Sequence, residues 1–179
     1  MKYNPEEHHR QSIRLKDYDY SQPGAYFVTI CTQNQECLFG KIVDGKMVLN
    51  ECGKITKQCW LDIPNHYSNA ELDEFVIMPN HIHGIIIIVG GINVGAIHES
   101  PQHESPLPPH STITRRKMLL PKIIGFYKMN SAKQINQIRH MPGTPVWQRN
   151  YYEHIIRNEN ENELNRVHKY IINNPLQWQ

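Results

Sequence analysis

The stretch His81-Ile82-His83-Gly84-Ile85-Ile86-Ile87-Ile88-Val89 decides how this chain is read. Its β-branched residues favour an extended backbone, and a strand sends successive side chains to opposite faces. His81 and His83 therefore share one face. The intervening positions are apolar too, the pattern of a central strand covered on both sides. Two neutral imidazoles converging from one face are two donors of a metal site. Such a pair alone is more often packing than ligation, so the partners that would complete it must be found elsewhere in the chain.

Just before the pair, Leu72 to Met78 reads as a second strand that turns through Pro79-Asn80 into the first. Further upstream, Ala25 to Thr32 forms another strand. Leu38 to Val43, the turn pair Asp44-Gly45 and Lys46 to Leu49 form a hairpin. Asn50 caps a helix from about Glu51 to Ile63, with Ile55, Cys59 and Ile63 as its core stripe. Downstream, Gly90 to Thr114 is rich in proline, glycine, serine and histidine without periodicity, and is expected to be a long mobile surface loop. His98, His103 and His110 lie in it and are read as solvated rather than ligating.

A second helix runs from about Leu120 to Ile138, with Pro121 in its first turn and Leu120, Ile124, Tyr127, Ile135 and Ile138 facing inward. The segment Val146 to Ile156 contains the last strand. A third helix begins near Asn160, with Glu163 as its capping-box partner, and stops at Pro175. Without the hairpin and the last helix, this order is the split βαβ pattern of an α+β, ferredoxin-like antiparallel sheet with helices packed on one face. The expectation is one domain over residues 1–179.

At 179 residues, 39% hydrophobic and 20% charged, the composition is that of a globular protein large enough for its own core. No apolar run approaches the roughly 20 residues of a membrane span, and the polar start Met1-Lys2-Tyr3-Asn4-Pro5 does not read as a signal peptide. Cys31, Cys37, Cys52 and Cys59 form no Cys-x-x-Cys pair, which argues against a zinc ribbon; with a start that does not read as a signal peptide, reduced, mostly structural thiols in the cytoplasm are the expectation. The net charge of +2 hides an uneven distribution. From Thr114 to Arg157, nine lysines and arginines face Glu153 alone, a local +8 interleaved with Phe126, Tyr127, Trp147, Tyr151 and Tyr152. Cations mixed with aromatic rings suit phosphates and stacked bases; a solvated helix face is the plainer alternative.

In the last helix, Tyr170 and Asn174 are four residues apart and share a face. The amide offers a metal an oxygen, and the phenol is a nucleophile. Alone, Tyr170 would be an ordinary aromatic and Asn174 a helix cap.

With Met78-Pro79-Asn80-His81-Ile82-His83-Gly84 and Tyr170-Ile171-Ile172-Asn173-Asn174-Pro175 taken together, the chain resembles the HUH single-tyrosine transposases, in particular the REP-associated tyrosine transposases. The resemblance extends to His8-His9-Arg10-Gln11-Ser12-Ile13-Arg14-Leu15, Gly24 to Ile30 and Trp147 to Tyr152. It covers nearly everything except the Gly90–Thr114 segment, which looks like an insertion. It implies a metal-dependent enzyme that nicks single-stranded DNA beside a hairpin, leaves a 5′-phosphotyrosine link and transfers the strand to another 3′-hydroxyl. Carried over, Tyr170 is the nucleophile, and His81, His83 and Asn174 hold a divalent cation, Mg2+ or Mn2+. Many relatives carry Gln where Asn174 stands, so the shorter amide needs a closer helix or a bridging water. Arg10, Arg14, Lys16, Arg115, Arg116, Lys122, Lys128 and Arg149 are candidate DNA contacts. Relatives include monomers and homodimers that exchange the tyrosine helix. The rival readings are a catalytically silent single-strand-binding module of the same fold and a metal-dependent hydrolase of small molecules.

Overall fold

The structure, a computed structural model, describes residues 18–90, 118–157 and 161–178. The N-terminal candidates Arg10, Arg14 and Lys16, the segment 91–114, and Arg115 and Arg116 lie outside the described residues. The elements are β1 (Gly24–Cys31), β2 (Gly40–Val43), β3 (Lys46–Leu49), α1 (Glu51–Leu61), α2 (Ile63–His66), β4 (Ala70–Met78), β5 (His81–Ile88), α3 (Leu119–Arg139), β6 (Tyr152–Ile156) and α4 (Glu161–Asn173).

Local chemistry accounts for most of these boundaries. The β2–β3 hairpin turns at Asp44 and Gly45, both with positive φ, as a two-residue turn between right-twisted strands requires. Asn50 starts α1 by accepting the Gly53 amide on Oδ1 at 2.9 Å. The helix expected to reach Ile63 instead stops at Leu61 and restarts as α2, whose first turn accommodates Pro64, a residue with no amide to donate.

The main sheet has the order β4-β5-β1-β6, and each neighbouring pair is antiparallel. This is the ferredoxin-like arrangement, with β5 and β1 in the centre. One face carries Tyr26, Val28, Ile30, Ile82 and Ile86, buried against Trp60 of α1, Ile63 of α2, and Leu120, Ile123, Tyr127 and Ile135 of α3. Gly84 faces this layer: a Cβ there would overlap the Trp60 indole, so the missing side chain lets the ring lie directly against β5. The other face carries Ala25, Phe27, Ile85 and Ile156 under Ile171 of α4, the helix outside the split βαβ pattern.

Ile138 departs from expectation, pointing to solvent rather than inward. At that end of α3 the buried side has rotated to Asn136, whose amide donates to the Thr144 carbonyl at 2.7 Å and ties down the following turn. Two residues on, a helix side chain faces nearly the opposite way.

Candidate active site

The two histidines lie on the α4 side of the sheet. In the β1–β5 register Thr29 is opposite His83, and Cys31 is opposite His81. Thr29 Oγ1 is 2.7 Å from His83 Nδ1, and Asn80 Oδ1 is 2.6 Å from His81 Nδ1. A carbonyl oxygen only accepts, so His81 carries its proton on Nδ1 and presents a lone pair on Nε2. The two Nε2 atoms are 3.0 Å apart, about the separation of two ligands at right angles around one ion at about 2.1 Å each. Among the described residues no cluster of three His, Cys, Asp or Glu could hold a metal. The donor set that fits here is two imidazoles and an amide.

Burial pushes the His83 pKa down to about 3, with a further contribution from His81. It also lowers the His81 pKa, opposed by a side-chain hydrogen bond with Asn174. Both rings are thereby held neutral, the ligating form. Phe27 stacks on His83 with centroids 5.5 Å apart, which limits the tilt of the ring.

Tyr170 reaches the pair from α4. Its hydroxyl is 3.3 Å from His83 Nε2, its ring meets Phe27 edge-on, and 45% of the residue remains exposed. A groove of about 350 Å³ opens beside it, lined by Phe27, Glu163, Arg166 and Val167. At Asn174 the helix gives way to a 3₁₀ turn, Asn174–Gln177, with Pro175 in its first positions. Asn174 is buried, and a side-chain hydrogen bond joins it to His81, so the amide lies beside the histidine pair. His81, His83, Tyr170 and Asn174 thus gather within one chain. An acceptor-rich pocket of this kind, with an accessible phenol at its mouth, can hold a cation and present a nucleophile to a group bound beside it.

The described residues among the expected DNA contacts lie in different parts of the fold. Arg149 is exposed on the segment before β6, and Lys122 is exposed on α3, in the layer across the sheet from Tyr170. Lys128 is engaged within the chain: its ammonium donates to the Gln148 and Asn150 carbonyls at 3.0 Å each, bracing the backbone that leads into β6. Trp147 is core, its Nε1 donating to Ser131 Oγ at 2.9 Å. Thr29, Asn80 and Phe27 were not among the candidates. Asn80 adjoins His81 in the turn, but Thr29 lies 54 residues from His83 and only strand pairing joins them. No helix among the described residues is long and apolar enough to cross a membrane.

No protein-family model matches the sequence. An uncharacterized protein of Haemophilus influenzae is 42% identical over 178 residues, which span 99% of this chain and 94% of that protein. Among solved structures, a REP-associated tyrosine transposase bound to a REP hairpin superposes with a TM-score of 0.51 at 16% identity, over 93% of this chain and 73% of that one. The chain belongs to one family with the Haemophilus influenzae protein, and its fold is that of a tyrosine transposase.

Proposed function

We propose that this protein cleaves single-stranded DNA at hairpin elements through a 5′-phosphotyrosine link and passes the strand to a new 3′-hydroxyl. The observation that carries this reading is the Tyr170 hydroxyl 3.3 Å from His83 Nε2, with Asn174 against His81. Tyr170 is the nucleophile. Its oxygen bonds to phosphorus as the bond to the leaving 3′-oxygen breaks, so the phenol's proton is given up and one is returned to the departing hydroxyl. The step conserves a phosphodiester, and attack by another 3′-hydroxyl reverses it without a nucleotide cofactor.

His81, His83 and Asn174 are assigned to hold Mg2+ or Mn2+, which would neutralise the phosphate's nonbridging oxygens and orient the phosphorus for in-line attack. Three neutral ligands would leave the ion's charge undiminished. Thr29 and Asn80 hold the imidazoles from their outer nitrogens and fix the direction of both rings, and the Asn80 carbonyl also fixes the His81 tautomer. Arg149 is assigned to phosphate, together with Arg10, Arg14, Lys16, Arg115 and Arg116; Lys122 is left to DNA that extends past the opposite layer. Tyr170, His81, His83 and Asn174 meet within one chain, so this reading has the tyrosine act in cis.

The test is incubation with Mn2+ and hairpin-bearing single strands, followed by denaturing gels. Wild type is expected to form a covalent protein–DNA adduct, and Tyr170→Phe none while still binding the oligonucleotide. A wild-type protein that binds such strands but forms no adduct with either metal is the silent binding module instead. Binding should also weaken with salt, at a slope of about 0.7 per phosphate contact for single strands.

A further inference from the structure

α4 has little apolar hold on the sheet. Of its described side chains only Ile171 is fully buried, with Leu164 and Val167 half-buried beside it. A helix seated on so narrow a stripe is free to roll about its own axis unless something on each flank stops it. Two histidine–carboxylate pairs stand at those flanks. On one side His168 Nε2 is 2.7 Å from Asp73 Oδ2 of β4. On the other, Glu163 Oε1 is 2.7 Å from His154 Nε2 of β6. The two partner strands are the opposite edges of the four-stranded sheet, so the helix is held from both ends of its diagonal crossing.

Each carboxylate is itself held in place. β4 shifts register between Leu72 and Phe75, an irregularity of the kind that re-aims side chains. Within it, Asp73 accepts the Glu74 amide on Oδ1 at 2.8 Å, leaving Oδ2 for His168. Glu163 accepts the Arg157 amide on Oε2 at 3.1 Å, leaving Oε1 for His154. A neutral imidazole bearing its proton on Nε2 is a sufficient donor in both pairs, so neither depends on a charged ring.

We infer that His168–Asp73 and His154–Glu163 are positioning pairs that set the roll of α4 and so the place of Tyr170 against His83. Glu163 is seven residues before Tyr170, two turns along almost the same line of the helix, so fixing one fixes the bearing of the other. With a side-chain tip roughly 6 Å from the axis, a roll of about 10° moves it by about 1 Å, a displacement that costs a reaction as much as about a hundredfold in rate. This inference rests on the nucleophile role given to Tyr170 above only for its effect on rate.

The test pairs a double variant, His154→Ala with His168→Ala, against His154→Gln with His168→Gln, whose side-chain N–H groups can stand in for Nε2–H. In the alanine pair, amide exchange of residues 164–172 should quicken by about tenfold or more while β1 and β5 exchange as in wild type. Adduct formation at saturating oligonucleotide and Mn2+ should slow by about tenfold, with oligonucleotide affinity unchanged, and the glutamine pair should recover most of both. Unaltered exchange in α4 overturns the inference, as does quickened exchange with an undiminished adduct rate. If wild type forms no adduct at all, the nucleophile reading fails by itself and the exchange data alone decide whether the pairs hold the helix.

Discussion

On one face of the sheet, Tyr26, Val28, Ile30, Ile82 and Ile86 are sealed under α1 and α3; on the other, Phe27, Thr29, His81 and His83 meet a single lightly seated helix. The residues of the two faces alternate along the same two strands. Period-two alternation therefore lets one backbone carry a dry, close-packed layer and a polar, partly open one. The layer built from α1 and α3 supplies most of the buried apolar contact, and so most of the stability. The α4 layer can keep buried imidazoles and a half-exposed phenol, which contribute little to stability, because the opposite side holds the strands in place.

If that division holds, substitutions on the two faces should affect different measurements. Trp60→Ala empties a fully buried site packed against Tyr127 and Phe75, and urea unfolding should show a loss of about 3–5 kcal/mol. Tyr170→Phe removes one hydroxyl from a half-exposed ring and should change the same midpoint by under about 0.5 kcal/mol. Comparable losses from the two would mean that α4 is part of the main core, and the division would be wrong.

Gly84 is where the faces are coupled, since it lies between His83 and Ile85 yet opens towards Trp60. Gly84→Ala forces either the indole or β5 to move, at an expected cost of about 1–3 kcal/mol from overpacking. Because the displaced strand carries both histidines, Mn2+ affinity should fall along with stability. Adding Trp60→Leu makes room for the methyl group, and recovery of Mn2+ affinity in the double variant would trace the coupling to this contact. A double variant as weak in Mn2+ binding as Gly84→Ala would show that the two faces communicate by another route.

The same contrast explains what could be read from the residues alone. The histidine strand, its double-sided burial, the Asp44-Gly45 turn and the Asn50 cap are local patterns, set by neighbours two to four positions apart, and they fold as read. Thr29 against His83 and Asp73 against His168 join residues 54 and 95 positions apart. Their geometry is fixed by strand register and by the β4 irregularity, neither of which leaves a periodic trace. Glu163 illustrates the limit: its spacing from Asn160, a residue outside the described ones, suggests a capping box, and nothing local announces that the β6 edge brings His154 and the Arg157 amide within its reach. Lys128 likewise counts as a free cation until the chain before β6 folds back to place carbonyls around it.

Acid should expose the energetic asymmetry of the faces without any change in packing. In the unfolded chain His83 takes up a proton near pH 6.5, whereas in the fold burial postpones this to about 3. Between those values the unfolded state binds the extra proton, so stability is complete above about pH 6.5 and declines as the pH falls, by about 1.4 kcal/mol per unit from this residue. His81, lowered in the same direction, adds to the slope. From pH 6.5 to 5, above the range where Glu163 and Asp62 protonate, urea unfolding in the presence of a chelator should lose about 2 kcal/mol through His83. His83→Gln keeps an amide in the same pocket but cannot take the proton, so its profile should be flatter by that amount. Parallel profiles for the two proteins would mean that solvent reaches the His83 ring in the fold, so that burial no longer holds the imidazole neutral.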